Sequence, residues 1–414
     1  MRVQTNGGRS ISAIMYSHDG VGLGHLKRNL TIASRLVHED ADANVLLVVG
    51  CPSGMLFDVP HGVDYVKLPS IAKVETNTWN PRKLRMTRER IGELRRQLLL
   101  RVVELFEPDL FLADHVPAGV WGELLPTLQA LRDNPRRPKV ALGLRDILDR
   151  PEIVRRTWRD DGIYDVIERY YDAVLVYGAQ GVFDTAAAYG IDEVVPDRIR
   201  YCGYVSGEEP VLDRAHMRAK LKLDDGPLVV ITAGGGADAF PMMEACIAAL
   251  KTFDRSRCPN AMILTGALMD PSQRAELERR VDGQPVRVLG HVPDAQNYIS
   301  AADLAITMGG YNTMVECVRL QKPTIVLPRK GPSAEQATRA RVFGDLGLVT
   351  AVEVEVATPE RLARAIRDKL AAPRVSNVSL GTNGVSEAVR HLLDGLLQND
   401  TDRFAEIPVA LEAL

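Results

Sequence analysis

Thr307-Met308-Gly309-Gly310-Tyr311-Asn312-Thr313-Met314-Val315-Glu316 is the stretch whose reading decides the fold. Leu304 to Met308 is a short apolar run suited to a buried strand, and Gly309-Gly310 permits a tight turn before a helix predicted to open near Asn312 or Thr313. Exposed N–H groups at such a helix start, with the positive end of its dipole, favour a phosphate or diphosphate. Glu316 falls one turn into the helix, where a carboxylate can accept two hydrogen bonds from a ribose diol. The next strand, Thr324 to Leu327, ends at Pro328 and leads to a second helix predicted from about Ser333, which brings Gln336 towards the same crevice. Thr313-x-x-Glu316 and Ser333-x-x-Gln336 also match the capping box, in which the acid or amide satisfies its own helix terminus, so both roles stay open for each residue.

Gly309-Gly310-x-Asn312-Thr313-x-x-Glu316, the Lys322-Pro323 strand entry and Glu335-Gln336-x-x-Arg339-Ala340 together resemble the donor half of GT-B glycosyltransferases, nearest the peptidoglycan N-acetylglucosaminyltransferase group of the family 28 type. The resemblance is strong over residues 226–350 and thinner over the N-terminal half. It implies an α/β protein of two Rossmann-like, doubly wound domains facing across a cleft. It also implies inverting transfer from a nucleotide sugar, with UDP-GlcNAc or a related UDP-sugar as the first expected donor.

A chain of 414 residues exceeds one ordinary hydrophobic core, so two domains are expected. Hydrophobic residues at 46% with charged residues at 25% are ordinary for a globular protein, and a net charge of −3 leaves no global footprint for nucleic acid. The five cysteines are scattered without CxxC spacing, which suggests neither a zinc site nor a disulfide framework. No apolar stretch approaches 18 residues and the N-terminus does not read as a signal peptide, so a cytoplasmic location is expected.

Ile11 to Tyr16 reads as the first strand and runs through Ser17-His18-Asp19-Gly20-Val21-Gly22-Leu23-Gly24-His25 into a helix over Leu26 to Val37. This is not the dinucleotide fingerprint, because G-x-G-x-x-G from Gly20 would need glycine at His25. Gly24-His25 matches the glycine loop that ends in Gly-His at the interdomain cleft of the GT-B group. Gly22 and Gly24 are then candidates to hold a diphosphate, and His25 to bond a substrate oxygen or take a proton. A role for His25 in capping or packing stays open beside these.

Strands expected over Val45 to Gly50, Val63 to Leu68, Asp109 to Asp114, Lys139 to Leu144, Asp172 to Tyr177 and Ile199 to Val205 complete a first parallel sheet. Two of them deliver Asp114-His115 and Arg145-Asp146 to the sheet's carboxyl rim, with Pro117 expected to open a helix. Asp114, His115 and Asp146 are candidates for the general base and Arg145 for an anion clamp. Asp40-Ala41-Asp42 matches a D-x-D metal motif but sits at a helix end, so it reads as a solvated turn; no metal and no cofactor is expected. Arg82 to Arg101 carries eight Lys or Arg against two Glu, with Leu84, Ile91, Leu94 and Leu98 as an apolar stripe, and so offers a peripheral contact to anionic lipid or an anionic acceptor.

Ser206 to Pro210 has a linker's composition. It divides an acceptor domain over residues 1–205 from a nucleotide-sugar domain over 206–382, with 383–414 forming a helix that returns to the first domain, and a tail. In the second domain Leu228 to Thr232 leads into Gly234-Gly235-Gly236, where backbone approaches phosphate closely. Gly290-His291-Val292-Pro293 resembles the family's loop beside the nucleotide base, which makes His291 and Val292 donor-binding candidates. The expected partners are a nucleotide-sugar donor and a small-molecule or lipid-linked acceptor. A non-hydrolysing sugar-nucleotide epimerase and a non-catalytic nucleotide-sugar-binding protein are the two alternatives.

Overall fold

The computed structural model describes residues 10–18, 23–51, 58–75, 78–207, 211–331, 333–353, 357–371, 380–381 and 383–397. Fifteen strands lie among them: β1 (Ser12–Ser17), β2 (Asn44–Val49), β3 (Val63–Lys67), β4 (Ile71–Glu75), β5 (Thr78–Pro81), β6 (Leu110–Asp114), β7 (Lys139–Arg145), β8 (Ala173–Tyr177), β9 (Ile199–Tyr201), β10 (Leu228–Thr232), β11 (Asn260–Leu264), β12 (Val286–Leu289), β13 (Leu304–Thr307), β14 (Thr324–Val326) and β15 (Thr350–Ala351). One parallel sheet runs β3-β2-β1-β6-β7-β8-β9 and a second β12-β11-β10-β13-β14-β15, while β4 and β5 form a separate antiparallel hairpin. The two larger sheets make a doubly wound α/β protein with two Rossmann-like halves.

Alternation along the strands explains why both faces of the first sheet are covered. Ala13 and Met15 pack on one side with Leu26, Leu30, Ala33 and Leu36, which are spaced to form one face of the Gly24–Glu39 helix. Ile14 and Tyr16 point to the other side, among Leu99, Val103, Leu128 and Ile167. Val385, Ala388, Val389 and Leu392 of the Gly384–Leu392 helix join the first of these faces, and so do Tyr311, Met314 and Phe343 from helices of the second sheet. One apolar cluster thus spans both halves.

Each sheet reverses its winding once, between β1 and β6 in the first and between β10 and β13 in the second. A crevice opens at the carboxyl ends of strands where connections depart to opposite sides. Ser17-His18 and Asp114-His115 stand at the first switch point; Thr232-Ala233-Gly234 and Gly309-Gly310 stand at the second.

Several local expectations are corrected. Pro117 opens no helix: the chain makes a 3-10 turn over Val120–Gly122, and the helix is Leu125–Asp133. The basic segment becomes helical only at Arg88–Phe106, capped by Thr87; of the apolar stripe it buries Ile91, together with Arg95, Leu99 and Val103, and leaves Leu84, Leu94 and Leu98 exposed. Arg95 turns inward because Glu123 neutralises it: Nε donates to Oε2 at 2.5 Å, and Tyr16 donates to the other carboxylate oxygen. The β4–β5 hairpin and the short β15 had no distinct apolar run to announce them.

Candidate active site

Two cavities meet between the sheets, and His25 and Arg145 line both. The smaller, about 240 Å³, is walled by Gly24, Lys27, Gly234, Gly235, His291, Val292, Gly310, Asn312, Thr313 and Glu316. The larger, about 840 Å³, extends into the N-terminal half past His18, His115 and the Leu125 and Pro151–Asp160 helices.

Two helix starts face the smaller cavity. The Gly24–Glu39 helix follows β1, and the Tyr311–Arg319 helix follows β13 with Gly310 as its N-cap. Neither N-cap side chain bonds the helix, so among the described residues the first backbone N–H groups at both ends are open to another acceptor. Asn312 Nδ2 donates to the Gly24 carbonyl at 3.2 Å and ties the two starts together. Gly309 is held at φ 87°, and a Cβ there would meet Val326 at 2.9 Å. Gly236, at φ 84°, would drive a Cβ into the Thr265 carbonyl at 1.7 Å. Gly236 therefore shapes the loop from behind the cavity, whereas Gly234 and Gly235 line it.

Neither capping-box geometry forms. The helix begins at Tyr311, two residues before Thr313, and Glu316 instead accepts from Lys27 Nζ of the opposite half at 2.5 Å. The second helix begins at Glu335, and Gln336 accepts from the Arg329 backbone N–H at 3.1 Å, behind the site.

His25 forms the centre of the larger arrangement. Its Nδ1 pairs with Asp114, whose carboxylate is fully buried and also takes Arg28 Nη2 at 2.7 Å and Nε at 3.1 Å. A carboxylate at Nδ1 sets the tautomer: the proton sits on Nδ1, and Nε2 keeps its lone pair. Burial, then Arg145 and Arg28, push the His25 pKa well below the ordinary histidine value. Arg28 offsets the Asp114 charge that would otherwise raise it, so a neutral imidazole with a carboxylate behind it faces both cavities. His18 and His115 stand 4.8 and 4.9 Å from its ring and are likewise pushed down, by burial first.

Arg145 reaches across the cleft to Glu335 at 2.7 Å. Burial would raise the Glu335 carboxyl, but Arg145 and Arg339 outweigh it and hold it below the usual range. Asp146, by contrast, points away from both cavities. It is fully buried, accepts from Arg339 Nη2 at 2.7 Å, and also takes the Ile147 N–H. So engaged, it holds the two halves together and has no free edge for a substrate proton. Gly22 lies outside the described residues.

Arg28, Lys27, Tyr311 and Arg339 have parts in the site that the sequence did not assign. Tyr311 lies between the Arg28 and Arg339 guanidiniums, 5.4 and 5.6 Å from its ring centre. The spacing of His25 and Arg28 on one helical face was the available signal for Arg28.

With this geometry in view, residues 228–388 match the model of the glycosyltransferase family 28 C-terminal domain. Over 93% of its length the chain superposes on the MurG protein of Acinetobacter baumannii with a TM-score of 0.56 at 15% identity, covering all of that chain. The chain has the GT-B fold. A GT-B neighbour of another kind is the UDP-GlcNAc 2-epimerase of Methanocaldococcus jannaschii, with a TM-score of 0.59 at 12% identity over 94% of this chain and 100% of that one. In sequence, this GT-B chain resembles a UDP-N-acetylglucosamine–N-acetylmuramyl-(pentapeptide) pyrophosphoryl-undecaprenol N-acetylglucosamine transferase of Exiguobacterium sp., 26% identical over 208 residues. That match spans 48% of this chain and 56% of the relative.

Proposed function

We propose that this protein is an inverting glycosyltransferase that moves a sugar from a nucleotide sugar, UDP-GlcNAc or a related UDP-sugar first, to a hydroxyl of a small-molecule or lipid-linked acceptor. The observation that carries the reading is the placement of the His25–Asp114 pair where the two cavities join. The donor occupies the smaller cavity, its diphosphate against the Gly24 and Tyr311 helix starts and its base beside His291 and Val292. Glu316 exchanges Lys27 for the ribose diol.

The acceptor hydroxyl gives its proton to His25 Nε2 as its oxygen forms the bond to the sugar's C1. The C1–oxygen bond to the diphosphate breaks on the opposite face, and the nucleoside diphosphate leaves with the electron pair. Asp114 stabilises the imidazolium that forms. The two helix starts supply the positive charge for the leaving group, so the proposal includes independence from metal ions. The outer face of the Arg88–Phe106 helix presents Leu94, Leu98 and Leu105 beside arginines, which suits peripheral contact with an anionic bilayer.

Labelled UDP-sugars with an acceptor panel test the chemistry. His25→Ala should lower kcat by about 10² or more with UDP affinity little changed. Wild-type transfer by a folded His25→Ala protein would reject the assignment, and loss of transfer in EDTA restored by magnesium would reject metal independence. Appearance of an epimerised nucleotide sugar without acceptor would favour the epimerase reading.

A further inference from the structure

The larger cavity differs in chemistry from the smaller one. Its far wall is apolar, formed by Trp121, Leu125, Leu148, Ile153, Trp158 and Val166. Its charged lining among the described residues is Arg145 and Arg329 against Asp149, Asp161, Asp238 and Glu335, two cations facing four carboxylates. Both arginines are already paired, Arg145 with Glu335 and Arg329 with Asp238. Burial keeps His18, His25 and His115 neutral, so they add no compensating charge. A diphosphate placed here would meet a net negative wall in a partly desolvated space, with no uncommitted guanidinium to receive it. An apolar body would gain from leaving water, at about 25 cal/mol per Å² buried.

Resting on the glycosyltransferase reading, we propose that the larger cavity selects an uncharged, apolar acceptor that enters tail outward and presents a hydroxyl to His25, and that it discriminates against acceptors carrying a phosphate or diphosphate. The cavity's 840 Å³ accommodates a body of drug or isoprenoid size. The three histidines gather at its inner end, and the apolar wall begins beyond them. Such an acceptor therefore orients itself.

The matched pair farnesol and farnesyl diphosphate tests this, because the two share one tail and differ in charge. All three tryptophans of the chain, Trp79, Trp121 and Trp158, line the cavity, so intrinsic fluorescence of the full chain reports its occupancy. Farnesol should change the emission saturably with a Kd at least ten-fold below that of farnesyl diphosphate. Ile153→Asp, and separately Leu125→Asp at a position 37% exposed, should each weaken farnesol at least ten-fold and leave UDP binding by calorimetry unchanged. Equal or tighter binding of the diphosphate, no saturable farnesol signal, or undiminished farnesol binding by both folded variants would overturn the proposal. UDP is titrated in the same samples: failure to bind UDP would count against the donor reading, while the farnesol ratio stands as a separate result.

Discussion

At the scale of single residues, the site depends on carboxylates whose partners are visible. Asp114 fixes the His25 tautomer while Arg28 holds Asp114 on its other edge. Asp114→Asn should therefore leave the ring in place, present the wrong tautomer for part of the time, and lower kcat by on the order of 10² or more with donor KM nearly constant. An equal loss in UDP affinity, measured by calorimetry, would mean that Asp114 supports the donor loop instead. Glu316→Gln removes the charged acceptor for a ribose diol and should weaken UDP by about 1–3 kcal/mol. Unchanged UDP affinity would confine Glu316 to its pair with Lys27. The sequence marked Glu316 by its place one turn into a helix after two glycines, with a capping role beside the ribose one. It hid Lys27, 289 positions away, since the pairing exists only once the halves face each other.

At the scale of elements, strand-to-helix turns wall the smaller cavity, and the turn after β10 uses glycine for two different reasons. Gly234, at φ 65°, has room for a methyl, with Thr313 Oγ1 at 3.6 Å from where its Cβ would be, so its backbone conformation and not a collision calls for glycine. Gly236 has none, and Gly236→Ala combines a positive φ with a collision against backbone. We expect Gly236→Ala, strained and in collision, to cost about 1–3 kcal/mol of stability in the absence of ligand, and Gly234→Ala, strained by its positive φ alone, to cost less than Gly236→Ala and to weaken UDP. Urea unfolding and a UDP titration on each variant separate the two, and identical behaviour would show that the loop rearranges as a unit. The Arg88–Phe106 helix was legible as a helix but not in its rotation. Hydrophobic spacing grouped Ile91 with Leu94 and Leu98 on one stripe, yet Ile91 is buried on the side that Arg95 shares with Glu123 and Tyr16 while Leu94 and Leu98 stay exposed, because a satisfied buried ion pair can occupy a core position.

At the scale of the whole molecule, Asp146–Arg339 joins the two halves with both side chains almost wholly out of solvent. Arg339→Met leaves Asp146 buried without its partner and should cost about 3–5 kcal/mol. The same change should widen the interdomain angle in small-angle scattering; an unchanged profile at unchanged stability would deny the latch. The buried histidines add a pH dependence. His18, His25 and His115 have folded pKa values pushed below 6.5 by burial, so below about pH 6.5 the unfolded chain binds more protons than the folded one. Their contribution is present in full above about pH 6.5 and is lost as pH falls from there towards the folded values, by up to about 1.4 kcal/mol per pH unit for each ring. Urea unfolding at pH 7.5 and 5.5 should show the loss. Stability that is flat or higher at pH 5.5 would contradict neutral burial of this cluster.

The division of the strands between two sheets and the glycine-rich strand-to-helix turns were determined by the sequence alone, because each rests on local properties: short apolar runs, glycines at strand ends and helical spacing directly after them. Leu228–Thr232 is found at the boundaries its composition marks, and Leu304–Thr307 stops one residue short of the apolar run that ends at Met308. The division of labour among Asp114, His115, Arg145 and Asp146 was not legible, since all four reach the same sheet rim in two similar pairs. Tertiary structure decided it: Asp114 lies at the switch point beside the Gly24–Glu39 helix and meets His25, while Asp146 lies one strand farther on, beneath the Glu335–Asp345 helix, and meets Arg339. A carboxylate's role follows from the cation or imidazole that reaches it, and that partner is fixed by the packing of one half of the chain on the other.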